Sequence, residues 1–212
     1  MDALQIADSP LLSLSGVTLI RQGRILAKDL QCELNPGEIM VLQGPNGCGK
    51  TTLLKVIAGI HPLSEGALKF HSETSVVFVG HRHALKEGAT VGENLHFWAA
   101  LLHKKMLLPA AISFFSLESY LHVRVEDLSA GWQRRVALAR LIFTDAKVWL
   151  LDEPYVNLDK EGQELLSGLV RSRTQSGGAV ILSSHGTFMP KTDSSVKLLN
   201  MEDFLPQLEE VD

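Results

Sequence analysis

Residues 39–52 read Ile39-Met40-Val41-Leu42-Gln43-Gly44-Pro45-Asn46-Gly47-Cys48-Gly49-Lys50-Thr51-Thr52. The apolar run at the start is a buried strand, and the residues after it fit G-x-x-x-x-G-K-[ST], where glycines let the backbone turn with its N–H groups pointing inward. Gly44, Pro45, Asn46, Gly47, Cys48 and Gly49 are therefore expected to form an anion cradle. Lys50 adds a point charge for the β- and γ-phosphates of a nucleotide. The Thr51 hydroxyl is placed to ligate Mg2+, and residues 52–58, beginning at Thr52, read as a helix whose positive end faces the nucleotide. Cys48 fills a free position of the motif. A helix N-terminus can activate a thiol, though a small residue that merely fits is the commoner case.

About a hundred residues downstream, Lys147-Val148-Trp149-Leu150-Leu151-Asp152-Glu153-Pro154 is an apolar strand ending in two carboxylates. Adjacent strand residues point to opposite faces, so the two acids have different tasks. Asp152 is assigned to the Mg2+ shell, directly or through water, and Glu153 to polarising a water that attacks the γ-phosphate. Taken alone, either acid reads equally well as a strand-end turn; the upstream loop turns the pair towards metal-assisted nucleotide hydrolysis. Residues 179–184 form a further strand that ends in His185. Between these strands lies Leu128-Ser129-Ala130-Gly131-Trp132-Gln133-Arg134-Arg135, a helix start that Ser129 can cap, with Trp132, Val136, Ala139 and Phe143 on one face by 4-3-4 spacing.

The remaining chain fills in an α/β architecture. Alternation at 11–14, 17–20 and 30–34 suits an antiparallel β lead-in, with a short strand at 66–70 and a buried parallel strand at 75–80. Residues 93–125 turn helical, with a second helix from Pro109 to Tyr120, and read as an inserted helical subdomain at about 82–127 within one domain spanning 1–212. Val196 to Asn200 reads as a last strand before a short acidic helix.

Composition narrows the partners. The chain has 212 residues, 45% of them hydrophobic, enough to bury a full core. The net charge is −4 and the 20 basic residues form no block, which speaks against a nucleic-acid surface. Cys32 and Cys48 lack a metal-ligand spacing and point to a reducing compartment without structural disulfides. Met1-Asp2-Ala3-Leu4 lacks the basic start of a secretory signal, and no apolar run approaches the roughly 18–20 residues that cross a bilayer. A membrane role is expected to come through a partner.

The order of phosphate loop, Leu128-Ser129-Ala130-Gly131, Asp152-Glu153-Pro154, Asn157-Leu158-Asp159 and His185 resembles the ATP-binding subunit of ABC transporters over nearly the whole chain. The match to the signature L-S-G-G-Q has two departures, Ala130 and Trp132. Read without the family, Ser129 is a helix cap and His185 a hydrogen-bonded strand-end histidine. The resemblance implies a P-loop NTPase of ABC type, with a mixed central sheet flanked by helices, acting as a head-to-tail homodimer. Each of two ATP molecules would lie between one subunit's phosphate loop and the other's Ser129 and Gly131. Asp159 would be an inter-subunit contact and His185 the switch histidine that senses the γ-phosphate. Arg21 stands where the family stacks an aromatic on adenine. His81, with Arg82 beside it, stands where a glutamine contacts Mg2+ and couples to the membrane partner.

Gly80-His81, Leu85-Lys86, Thr90, Glu93-Asn94-Leu95 and Phe97-Trp98, in so short a chain, look more narrowly like the haem exporter ATPase of cytochrome c maturation. That likeness implies an energy-coupling ATPase peripheral to the cytoplasmic face of the inner membrane, or to the matrix face in mitochondria. It would be partnered by integral membrane subunits and no nucleic acid, with haem handled by the complex, either by export or by release of a haem-loaded chaperone, rather than bound by this chain. The competing expectations are the ATPase of another ABC exporter, a soluble ABC-type ATPase acting on nucleic acid or ribosomes, and a nucleotide-binding regulatory module without turnover. The long coiled-coil insertion and the tandem second ATPase domain of the soluble class are both missing from the sequence.

Overall fold

A computed structural model describes residues 9–71, 73–81, 83–184 and 194–206 of the chain. Arg82 and His185 lie outside the described residues.

Leu12–Arg21 (β1) and Arg24–Leu34 (β2) form an antiparallel hairpin that closes at the Arg21↔Arg24 pair. The two residues between them, Gln22 and Gly23, both have positive φ, the turn whose twist matches that of paired strands. The sequence suggests two short strands here, but they are one. Gly16, at φ 58, absorbs a register shift between Leu14 and Val17 without ending the pairing. Glu65–Phe70 (β4) pairs antiparallel with the other edge of β1. Where they cross, a Cβ on Gly66 would collide with the backbone of Ser15 and Gly16, so only glycine passes.

A second sheet has the order β5-β6-β7-β3-β8, made of Val76–Val79 (β5), Val148–Leu151 (β6), Ala179–Ser183 (β7), Glu38–Gln43 (β3) and Ser195–Asn200 (β8). Every pair in it is parallel. The mixed character expected of the central sheet is thus divided between a parallel sheet and a separate antiparallel one. β6 and β7 are buried throughout, and β3 up to its last residue, as strands covered on both faces must be. β5 takes an edge and is only partly buried.

Side chains alternate across the parallel sheet. Ile39, Val41, Trp149, Leu151, Val180 and Leu182 join a core shared with Val91–Leu101 (α2), Leu108–Phe114 (α3), Ala130–Ala139 (α4) and Lys160–Gln175 (α5). Met40, Leu42, Val148, Leu150, Ala179 and Ile181 face the antiparallel sheet and Lys50–Ile57 (α1). The Thr90–Glu93 capping box starts α2.

Two helices are shorter than periodicity suggests. α3 ends at Phe114 because Ser116 turns to φ 56, and the remainder to Tyr120 becomes a loop and a 3-10 turn. α4 gives way to a 3-10 turn at Arg140–Phe143, yet Val136, Ala139 and Phe143 remain buried together. The last strand is followed by a 3-10 turn, Met201–Phe204, and the acidic residues beyond 206 lie outside the described residues.

Candidate functional site

The loop after β3 and the C-terminal ends of β5 and β6 line one crevice, where ligands of parallel α/β sheets gather. β3 stops at Gln43 and α1 starts at Lys50, so the loop between them is short and sharply turned. Gly44, Gly47 and Gly49 have φ of 135, 83 and 107, which side chains rarely tolerate. Gly49 occupies the N-cap of α1 and offers no side-chain cap, leaving the first-turn N–H groups to an external acceptor. Lys50 is buried and its Nζ donates to the carbonyls of Gly44 and Pro45, the second at 2.9 Å. Cys48 is buried beneath the loop, its Sγ 3.9 Å from Lys50 Nζ, and packs in the core with Met201. That is the small residue that fits.

The acidic side meets the loop directly. Thr51 Oγ1 donates towards both carboxylate oxygens of Asp152, each at 3.0 Å. Ser183 Oγ donates to Asp152 Oδ1 at 2.7 Å and accepts from the Glu153 N–H at 2.8 Å. Asp152 is 2% exposed, and both it and Glu153 line the crevice. Glu153 also sits at φ 49, a left-handed backbone that costs a non-glycine residue energy and marks a position the surroundings over-determine. Threonine and carboxylate oxygens are the donors that Mg2+ takes. Among the described residues no cluster of three His, Cys, Asp or Glu forms a complete cage, so nucleotide oxygens would have to complete the shell.

A cavity of about 730 Å3 holds these groups together with Arg21, Arg24 and His81. Arg21 and Arg24 are cross-strand partners at the hairpin tip, both exposed. Asn46, Gly47 and Thr52 line the same space. Ser129 and Gly131 do not. Ser129 caps α4, its Oγ 3.4 Å from the Trp132 N–H, and with Gly131, Asn157 and Asp159 it lines a separate cavity of about 350 Å3. The chain therefore carries two separate cavities, one at the phosphate loop and one at Ser129 and Gly131.

Three arginines of the signature helix and the turn after it are structural in a way the local pattern hides. Arg134 donates to the carbonyls of Asp152 (2.7 Å), Gly80 (2.9 Å) and Pro154 (3.3 Å), tying α4 to the ends of β5 and β6. Arg140 donates to the carbonyls of Phe78 and His83 and lies over Trp98. Arg135 pairs with Asp159 and Glu161. Burial lowers both Arg134 and Arg140 to about 10, still cationic at neutral pH; the nearby Asp152 and Glu153 charges oppose the shift at Arg134. Burial, then the charges of Arg134, His81 and Arg140, pushes His83 down to about 4. Gln133-Arg134-Arg135 looks like a solvated stretch because the carbonyls that bury Arg134 are remote in sequence. Ser183 carried a visible signal, a hydroxyl ending an apolar strand.

Residues 27–156 match the ABC transporter family. The chain is 35% identical over 187 residues to the cytochrome c biogenesis ATP-binding export protein CcmA of Wolbachia pipientis wMel, covering 84% of this chain and 90% of that protein. It is 38% identical over 175 residues to the protein of the same name from Paracoccus denitrificans (strain Pd 1222), covering 82% of each. Among solved structures, an ABC transporter ATP-binding protein from Pyrococcus furiosus superposes with a TM-score of 0.78 at 22% identity, covering 92% of this chain and 99% of that one. That likeness is one of fold.

Proposed function

We propose, since this chain belongs to the ABC transporter family, that it is the ATP-hydrolysing, energy-coupling subunit of a membrane complex serving haem handling in c-type cytochrome biogenesis. The observation that carries hydrolysis is the junction of phosphate loop and acids, Thr51 bonded to Asp152 with Glu153 next in sequence at the cavity wall. The pathway rests on the names of the CcmA relatives.

In this reading the loop N–H groups, the start of α1 and Lys50 bind the triphosphate. Thr51 and Asp152 would hold Mg2+, with His81 lining the same cavity, and the cation would supply positive charge against the phosphates. Glu153 accepts a proton from water as its oxygen attacks the γ-phosphorus and the bond to ADP breaks. The Ser183 bond to the Glu153 N–H holds the backbone while the carboxylate works. Arg21 and Arg24 can lie flat against a base, a guanidinium substitute for an aromatic face.

Completion of the site by a second copy is supported by the separate cavity at Ser129 and Gly131. A head-to-tail homodimer would bring that edge onto the other chain's phosphates, with Asp159 at the contact and His185 in the role of γ-phosphate sensor. Attachment to membrane-embedded subunits is supported by the exposed Phe97 and Leu101, one turn apart on α2, and the groove beside Phe97 formed with Lys86 and Asn94. Among the described residues no helix is long and apolar enough to cross a membrane. The chain would sit peripherally, on the cytoplasmic face of the inner membrane or the matrix face in mitochondria, and haem would be handled by the complex.

The test is covalent haem on c-type cytochromes in cells deleted for their own ATPase of this kind, supplied with this chain or its Glu153→Gln form. Haem attachment restored by the unmutated chain alone is the expected result. Failure of both, with ATPase activity intact, would redirect the chain to another cargo.

A further inference from the structure

Trp132 is the residue at which the signature departs most in size, and it is the middle of a stack. Its ring lies 4.1 Å from that of Tyr120, centroid to centroid, with planes tilted by 34°. The guanidinium carbon of Arg135 lies 4.6 Å from the Trp132 centroid. Arg135 is 2% exposed, and its Nη2 donates to Asp159 at 2.6 Å and to Glu161 at 2.8 Å. Nη1 is buried with no hydrogen-bond partner among the described residues. Both ion pairs thus pass through one nitrogen, and a single pivot does not define the plane of the group; the Trp132 face does.

Downstream, Asp159 Oδ1 also caps α5, accepting from the Gly162 N–H at 2.9 Å. A continuous line of contact runs from Tyr120 in the helical segment, through Trp132 and Arg135, to the first turn of α5. A second contact keeps the same spacing: a Cβ on Gly131 would lie 2.6 Å from the Asn157 carbonyl. Asn157, at φ 65, is the turn between Glu153 and Asp159.

We infer that Trp132 is a positioning residue, which through Arg135 holds Asp159 in register with Ser129 and Gly131 so that this edge closes on nucleotide bound by a second copy of the chain. The inference rests on the proposed head-to-tail dimer. The helical segment, through Tyr120, thereby gains a mechanical hold on the dimer edge that does not pass through the phosphate loop.

The experiment uses the full chain carrying Glu153→Gln, with ATP-dependent dimerisation followed by sedimentation and the nucleotide affinity of the monomer by a fluorescent ATP analogue. Trp132→Phe, which keeps an aromatic face, should dimerise within about threefold of its parent. Trp132→Leu keeps apolar bulk without that face, and should weaken the dimer about tenfold while monomer affinity stays within about twofold. Tyr120→Ala added to Trp132→Leu should cost little more, because the stack is already broken. If Trp132→Leu does not fold, Arg135→Lys, which keeps the charge and loses the planar group, should give the same loss. A folded Trp132→Leu that dimerises like its parent, or loses monomer affinity in step with dimerisation, overturns the inference alone. A parent that stays monomeric with ATP overturns the head-to-tail reading and this inference with it.

Discussion

The hydroxyl of Thr51 lies 3.0 Å from each carboxylate oxygen of Asp152, across 101 positions of sequence. The pair joins the first helical turn after the phosphate loop to the end of β6, and it places two oxygen donors side by side. Asp152→Asn removes the charge yet keeps an acceptor for Thr51 and Ser183. ATP turnover should fall about 100-fold with the fold retained. Phosphate release titrated with Mg2+, beside circular dichroism, checks both halves of that statement.

Lys50→Ala removes a charge-assisted contact worth about 1.5–3 kcal/mol. Affinity for ATP should drop by about one to two orders of magnitude in equilibrium binding. An unchanged affinity would take Lys50 out of the site.

Gly131→Ala places a methyl against a backbone carbonyl that cannot swing aside. Turnover should fall by roughly tenfold, since small displacements of an assembled site are costly, while the monomer's nucleotide affinity holds. Loss of affinity in the monomer would mean that the Gly131 cavity and the phosphate-loop cavity are not independent.

Arg134→Met leaves three carbonyls, those of Gly80, Asp152 and Pro154, without their donor. The expected cost is about 3 kcal/mol, read as a lower urea midpoint. Arg134→Lys should recover less than half of it, because one ammonium does not reproduce the three-way spread of a guanidinium.

His83 gives the fold an acid-sensitive joint. Its pKa is near 6.5 in the unfolded chain and about 4 in the folded one, so between those values the unfolded chain binds more protons. The stability contributed is complete above about pH 6.5 and is lost as pH falls towards 4. Urea midpoints taken at about pH 7 and about pH 5 should therefore fall further apart in the unmutated chain than in His83→Gln. Equal falls would remove His83 as the cause.

The phosphate loop was legible because its chemistry is local: glycines, lysine and threonine must come one after another for the backbone to wrap an anion. Asp152 and Glu153 were legible because an apolar strand that ends in two acids has few other reasons to do so. The arginines were not. Arg134 is buried by carbonyls from Gly80, Asp152 and Pro154, which no spacing within α4 reports. The bulge at Gly16 hid in the same way, since a strand that shifts register looks in sequence like a strand that stops. Arg21 and His81 both line the phosphate-loop cavity, while His185 lies beyond the described residues.

β7 is the strand between β6 and β3, yet Ala179–Ser183 is among the last parts of the described chain to be synthesised. On a ribosome the phosphate loop emerges early and the Asp152 strand later, with the strand that lies between β3 and β6 in the sheet still to come. Only when Ser183 clears the exit can its hydroxyl bind Asp152 and Glu153 together. A product truncated before β7 would carry both nucleotide motifs but lack the strand, and the Ser183 hydroxyl, that fix their spacing in the sheet.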